Sequence, residues 1–422
     1  MNDFTLSADS TCMDDSDPSS LPIDIALKNI LEEIQPVNDV VQVPILQALN
    51  RVLAEDLIAT IDVPPAANSA MDGYALNSID IPKEGVRELV IIGTSWAGNP
   101  FEGEVTSGTT VRIMTGGLIP DGADTIVMQE NTQITSDKIS IDTRTIKGEH
   151  VRVAGEDFSK GDNIILAGTL LTPAHLGLIA SLGMDNVNVF RKIRVAFFLT
   201  GDELCSLGEP LEKGKIYDSN RYTLSGMLTH PGIELIDLGT VKDTRSAIEE
   251  VMERAENESD ILITTGGVSV GDADYIKEIL EKRGVIRFWK VAMKPGRPLA
   301  FGKAGSSVFF GLPGNPVSAM VTFYQFVLPA LKYLMGNKDL VLPTFKVVCR
   351  SNLKKHSGRV EFQRGVLSRN LSGEMVVNKT GEQGSGILSS MAEANCFIIL
   401  PYENDGITAG ETVEVQPFLG LL

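Results

Sequence analysis

The residues best suited to chemistry follow an apolar run, ILIT, that leads into TTGGVSVGDADY, Thr264 to Tyr275. A buried strand followed by Gly266, Gly267 and Gly271, with Ser269 among them and a helix beyond, makes a cradle whose backbone N–H groups face an anion. Each helix-end charge contact contributes only about 0.3 to 1 kcal/mol, so several must act together. An ordinary tight strand-to-helix turn would use the same glycines, and the loop by itself decides nothing. Next along the chain, VAMKPGRPLAFG brings Lys290, Lys294 and Arg297 around a Pro and Gly turn, with Pro295 and Pro298 restricting the backbone. Cations concentrated beside an N–H cradle suit a di- or triphosphate. A third loop, LPGNP, sets Gly314 and Asn315 between Pro313 and Pro316, ahead of a helix whose N-terminus suits a second anionic group.

Carboxylates recur at the same kind of position: Asp202 and Glu203 in TGDEL, Asp218 in YDSN, Asp243 after a strand, and Asp272 and Asp274 in the Gly loop. Acids gathered around a phosphate site are best explained by Mg2+, which takes one or two carboxylates together with phosphate oxygens and water. Helix capping would account equally well for Asp218 and Asp243. No HExxH motif and no Ser, His and acid arrangement supports a covalent nucleophile, so electrostatic stabilisation by lysine and metal is the expected chemistry.

The elements that must position these loops read as strand, helix, strand, helix from Lys192 onward: IRVAFFL, SNRYTLSGMLTH, IELIDLGTV, TRSAIEEVMERAENE, ILITT and DADYIKEILEKRG. Such alternation predicts a doubly wound parallel sheet over residues 191–337, and ligands of such sheets bind at the carboxyl ends of the strands. Upstream, the spacing predicts helices over 21–34, 44–54 and 173–182, and short β runs between 89 and 146 form a small β domain, 61–150. Residues 21–60 and 151–190 are expected to form one discontinuous N-terminal domain. After Asn337 the pattern returns to β runs and predicts a C-terminal β domain over 338–422.

A formal charge of -18 and the lack of a basic stripe argue against nucleic acid. Five acids and no Lys or Arg fall in the first twenty residues, so 1–20 reads as a disordered acidic leader. The four cysteines are scattered, which indicates neither a disulfide framework nor a zinc site. No signal-peptide pattern is present, and the cytoplasm is the expected compartment. The apolar stretch from Val317 to Met335 approaches membrane-spanning length, but its polar residues and Pro329 predict a buried helix, kinked by the proline.

Together, TGDEL, IYDSNRY, TTGGVSVGDADY, FWKVAMKPGRPLAFG and GLPGNPVSA resemble the molybdopterin molybdenumtransferase family, known as MoeA and related to the E domain of gephyrin. NSAMDGYA, RIMTGGLIPDGADTIVMQE and GEDFSKGD extend the resemblance over nearly the whole chain after residue 20. It implies a four-domain elongated subunit with a β-barrel-like C-terminal domain, and a homodimer whose active cleft lies between subunits. The implied reaction is Mg2+-dependent hydrolysis of adenylylated molybdopterin, with release of AMP and insertion of molybdate. By matching motifs, Asp157, Glu203, Asp243 and Asp274 are the functional acids and Lys290 and Lys294 the functional cations. Glu203, Asp243 and Asp274 would hold the metal. Pro313 and Pro316 match rigid active-site prolines, and Arg297, Arg364 and Ser390 would hold the oxyanion.

Two departures stand out. Ala67 occupies a position where many bacterial relatives have Asp, and Arg297 stands where Lys is common. Asp72 in MDGYA suits either a turn or a functional role. The molybdopterin adenylyltransferase is an expected partner. The competing readings are a non-enzymatic molybdopterin-binding scaffold and a related adenylyltransferase or pyrophosphatase, which would share the α/β unit.

Overall fold

A computed structural model describes residues 20–266, 275–276, 278–279 and 286–418. Residues 1–19 of the acidic leader, Gly267, Ser269, Gly271, Asp272 and Asp274 therefore lie outside the described residues, as do the ends of the helix expected after the Gly loop.

The core of the molecule is a six-stranded sheet in the order Ile233–Val241, Ile193–Thr200, Ile261–Thr265, Ser307–Leu312, Pro298–Ala304, Ile286–Lys290. The first four strands run parallel, as their alternation with helices predicts. Pro298–Ala304 runs antiparallel to both its neighbours, so Ile286–Lys290 again points the same way as the first four, and the sheet is mixed where a parallel one was expected. Connection length explains the difference. Only Gly305 and Ser306 separate Pro298–Ala304 from Ser307–Leu312, and a link that short makes a hairpin, whereas a parallel crossover needs a dozen residues or more.

Side chains of Ile193–Thr200 divide between the two faces with period two. Val195, Phe197 and Leu199 join one buried cluster with the helix Asn220–Leu228 and the helix beginning at Pro316. Ala196 and Phe198 join another with Ile248, Met252 and Ala255 of the helix Arg245–Glu258. Both faces are covered, which is why the strand is apolar at nearly every position.

The apolar stretch from Pro316 to Leu334 is helical throughout, and 72% of its most apolar window is buried inside the protein. Between Pro316–Thr322 and Leu328–Leu334 it widens into a π turn, Phe323–Val327, with the Leu328 N–H donating to Phe323 O. Pro329 lacks an N–H and its ring clashes with the carbonyl four residues back, and the wider turn accommodates both effects. The first helix, Ile23–Glu33, buries Ala26 and Ile30 against this π turn.

The helix expected over 44–54 is not formed. Val40–Pro44 is a strand paired antiparallel with Asn186–Phe190, and only Ile45–Gln47 makes a single 3-10 turn. Asn50 then takes φ 56°, and Val52 and Leu53 bridge to Leu170 and Val189. Arg51, 5% exposed, fixes this course by donating to Phe190 O at 2.6 Å. Pairing with a distant strand outweighs a local helical pattern here. The expected helix at 173–182 is present as Pro173–Ser181, capped by Thr172.

Two β units flank this assembly. One sheet runs in the order Thr125–Met128, Gly73–Leu76, Thr109–Ile113, Val86–Ser95, Lys138–Asp142, Gln133–Thr135. The other closes on itself, because Val360–Arg369 pairs with both Met375–Lys379 and Cys396–Leu400, making a five-stranded barrel with Phe345–Cys349 and Thr412–Pro417. A two-residue strand from the α/β unit, Met293–Lys294, joins the barrel beside Val360 and Glu361.

Candidate active site at the carboxyl ends of the central strands

Three parallel strands finish level with one another, Leu199 opposite Thr265 and Thr265 opposite Leu312. The loops beyond them line one pocket, formed by Thr200, Glu203, Asp218, Asn220, Gly266 and Gly314 among others. Gly266 has φ +84°, and a Cβ there would stand 2.6 Å from Thr200 O. Only glycine lets the second strand turn so close to the first.

Asn220 connects the loops. Its Nδ2 donates to Gly314 O at 2.7 Å and to Thr265 Oγ1 at 3.4 Å, so the helix Asn220–Leu228, the middle strand and the LPGNP loop are held together. Its Oδ1 is buried and makes no hydrogen bond among the described residues, leaving one acceptor for a ligand or water. Asn220→Ala removes these bonds, each worth about 1 kcal/mol. Turnover is expected to fall about fivefold to tenfold, read as kcat on a variant whose thermal midpoint is within a few degrees of the parent.

The acids separate into two roles. Asp218, 4% exposed, accepts the Arg221 N–H at 3.1 Å and the Thr240 hydroxyl at 2.8 Å, so it caps the helix that carries Asn220. Asp243 does not cap, contrary to one expectation. The N-cap of Arg245–Glu258 is Thr244, and Asp243 lies one residue further out. Its carboxyl is pushed above the usual range by burial and by the negative charges of Asp202 and Glu203, with Thr200 opposing. A carboxylate whose ionised form is disfavoured by two negative neighbours is the electrostatic setting that a bound cation relieves. Among the described residues no three side chains close into a metal-ligating group, and Asp274 lies outside them. Two carboxylates with phosphate oxygens and water would suffice for Mg2+.

A second set of groups lies where the α/β unit meets the barrel. Asn315 Nδ2 donates to Ser385 Oγ at 3.2 Å and the Val317 N–H to Ser385 O at 3.1 Å, so the LPGNP loop grips the barrel segment that leads to Ser390. Arg364, 1% exposed, donates to Ser390 Oγ at 3.0 Å and to Gly384 O at 3.1 Å. Burial pushes its guanidinium down to about 10, with Glu361 opposing. Lys294 Nζ stands 3.5 Å from Glu361 Oε2. Arg297 reaches Ser20 Oγ at 3.5 Å, and Lys290 ends its strand with its carbonyl taking the Leu21 N–H at 2.7 Å. Pro313 is buried, while Gly314 and Asn315 are exposed.

Asp157 is not brought to this cleft. It is exposed on a turn whose backbone N–H donates to Val63 O at 2.9 Å, and no described side-chain contact links it to the central loops. Asp72 accepts both the N–H and the hydroxyl of Thr115 at 2.7 Å, which holds its carboxyl below the usual range and ties its loop to that of Thr115. Ala67 lies nearby, its carbonyl taking the Ile119 N–H at 3.1 Å. Sequence reasoning missed Asn220, Thr265 and Glu361. Asn220 and Thr265 lie inside segments it singled out and Glu361 three residues before Arg364, but their partners are distant in sequence.

Comparison with known proteins covers almost the whole chain. Residues 21–183 match the MoeA N-terminal region (domain I and II), 196–333 the "Probable molybdopterin binding domain", and 346–418 the MoeA C-terminal region (domain IV). A Haemophilus influenzae protein named molybdopterin molybdenumtransferase is 44% identical over 95% of this chain and 100% of its own length. Its namesake from a Nostoc species is 35% identical over 92% of this chain and 91% of its own length. The crystal structure of the molybdopterin biosynthesis moeA protein of Pyrococcus horikoshii superposes with a TM-score of 0.82 at 32% identity, over 94% of this chain and 100% of that one.

Proposed function

Since the chain belongs to the MoeA family of molybdopterin molybdenumtransferases, we propose that the cleft at its central strand ends hydrolyses adenylylated molybdopterin, releases AMP and passes the dithiolene to molybdate. The enzyme acts as a molybdopterin molybdenumtransferase in molybdenum cofactor biosynthesis. The observation that carries the finer reading is the level ending of three parallel strands whose loops bring Thr200, Glu203, Asn220, Gly266 and Gly314 around one pocket, where a pyrophosphate would meet the strand ends.

In this reading Gly266, with Gly267, Ser269 and Gly271, cradles the phosphates, and Pro313, Gly314, Asn315 and Pro316 hold the facing wall rigid. Glu203 and Asp243, with Asp274, hold Mg2+, which neutralises phosphate charge when bound. Lys290 and Lys294 stabilise the charge that grows as AMP departs. Arg297, Arg364 and Ser390 seat molybdate near the barrel. Asp157 reaches a cleft only as part of a homodimer, in which a second copy completes the site. The domain limits 21–60 with 151–190, 61–150, 191–337 and 338–422 belong to the same proposal, as do the cytoplasmic setting and delivery of the pterin by an adenylyltransferase.

AMP release from adenylylated molybdopterin, followed with and without magnesium and molybdate, tests this function, with reconstitution of a cofactor-free molybdoenzyme as the second readout. Release that depends on both ions and restores the acceptor enzyme is the expected result. AMP transfer in place of release, or binding without release, would overturn it.

A further inference from the structure

We propose that Glu361 is a positioning residue, its buried carboxylate holding the Lys294 ammonium over the junction between the α/β unit and the barrel. The proposal rests on the reading of Lys294 as a group that serves the reaction.

Lys294 belongs to the α/β unit by sequence and to the barrel by hydrogen bonding. Met293 and Lys294 lie parallel to Val360 and Glu361, and the Val360 N–H donates to Ala292 O at 3.0 Å. This pairing sets the two side chains next to each other on one edge. The Glu361 side chain is 9% exposed and that of Lys294 is 49% exposed. The carboxylate is therefore the fixed member of the pair. Gln363 Nε2 fixes it further by donating to Glu361 Oε1 at 3.0 Å while also donating to Lys354 O at 3.0 Å.

A buried carboxylate on the same strand as Arg364, a group assigned to the oxyanion, is unexpected unless it has a task there, because it repels the incoming dianion. Its Oε2 lies 3.5 Å from Lys294 Nζ, longer than the roughly 2.7 to 2.9 Å of a tight charge-assisted bond. The ammonium is held nearby without being consumed. A lysine on a four-carbon stem samples many rotamers, and a loose electrostatic tether restricts it to those facing the cleft. Arg364 needs no such tether, because Ser390 and Gly384 already hold it.

A double-mutant cycle on the full-length enzyme tests this, using single-turnover AMP release by the parent, Glu361→Gln, Lys294→Ala and the double variant. Glu361→Gln keeps the shape and removes the charge. It is expected to slow release about tenfold in the parent and less than twofold when Lys294 is already Ala. Lysine-directed acylation mapped by mass spectrometry should also find Lys294 more reactive in Glu361→Gln, a change that a merely structural role would not produce. Glu361→Asp, which keeps the charge, should recover part of the rate and replaces Glu361→Gln in the cycle should the latter misfold. A parent-like rate in folded Glu361→Gln, or an equal loss in both backgrounds, would overturn the proposal. Lys294→Ala with undiminished release would instead remove the reading beneath it, a separate failure visible in that single variant.

Discussion

Lys294→Ala is expected to slow AMP release by roughly 30- to 900-fold, equivalent to about 2 to 4 kcal/mol of transition-state stabilisation. The magnitude is that of removing one preorganised charge donor from a site where negative charge grows. Lys294 is suited to that role because its backbone is fixed twice, by pairing with Val360–Glu361 and by the Pro295, Gly296 and Pro298 turn, while its side chain remains half exposed. Truncation also leaves Glu361 buried without its cation, so a thermal midpoint a few degrees lower is part of the expectation. The kinetic split separates the two effects. Loss of a transition-state contact lowers kcat and kcat/KM together, whereas loss of substrate affinity alone raises KM. Undiminished turnover in a folded variant would remove Lys294 from the mechanism.

The legible parts of this molecule are those whose periodicity is settled within one element. Ile193–Thr200 is apolar at nearly every position because helices cover both its faces, and the helix Arg245–Glu258 shows its buried stripe at Ile248, Val251, Met252 and Ala255. Misreadings arise where a distant partner decides. PILQALNRVLA carries helical spacing, yet the strand at Asn186–Phe190 draws its neighbourhood into extended pairing. The one reversed strand of the central sheet, Pro298–Ala304, was hidden inside a segment notable for its lysines. In the site, the loops were readable because glycine, proline and charge mark them in sequence. Asn220 and Glu361 were not, since an amide or a carboxylate acquires its meaning from the residue it faces, and Gly314 and Lys294 stand 94 and 67 positions away.

Asp260→Asn is expected to destabilise the central unit by about 2 to 3 kcal/mol at neutral pH, far from any catalytic group. Asp260 lies just before the strand Ile261–Thr265 and makes five hydrogen bonds with Arg191 and Arg194 at the start of the sheet. Its Oδ2 takes Arg191 Nη1 and the Arg194 N–H, both at 2.7 Å, and its Oδ1 takes Arg191 Nη2 at 3.1 Å and Arg194 Nη2 at 3.0 Å, while its own N–H donates to Arg194 O at 2.8 Å. Arg191 follows directly on the strand Asn186–Phe190, so this cluster ties the preceding unit to the central sheet. Burial alone pushes the Asp260 carboxyl up, yet the hydrogen bonds from Arg191 and Arg194 prevail and hold it below its ordinary value. A depressed folded pKa contributes stability that is complete above the unfolded value, near 4, and is lost as pH falls through the folded one. The gap in urea midpoint between parent and Asp260→Asn should therefore be widest at neutral pH and narrow below about pH 4. Asp39→Asn is the matched control. It removes a 2.7 Å partner of the same Arg191, but the Asp39 side chain is 73% exposed. Its cost should stay under about 1 kcal/mol. A gap for Asp260→Asn that equals the control, or that does not change between pH 7 and pH 3, would show that this carboxylate does not fasten the two units.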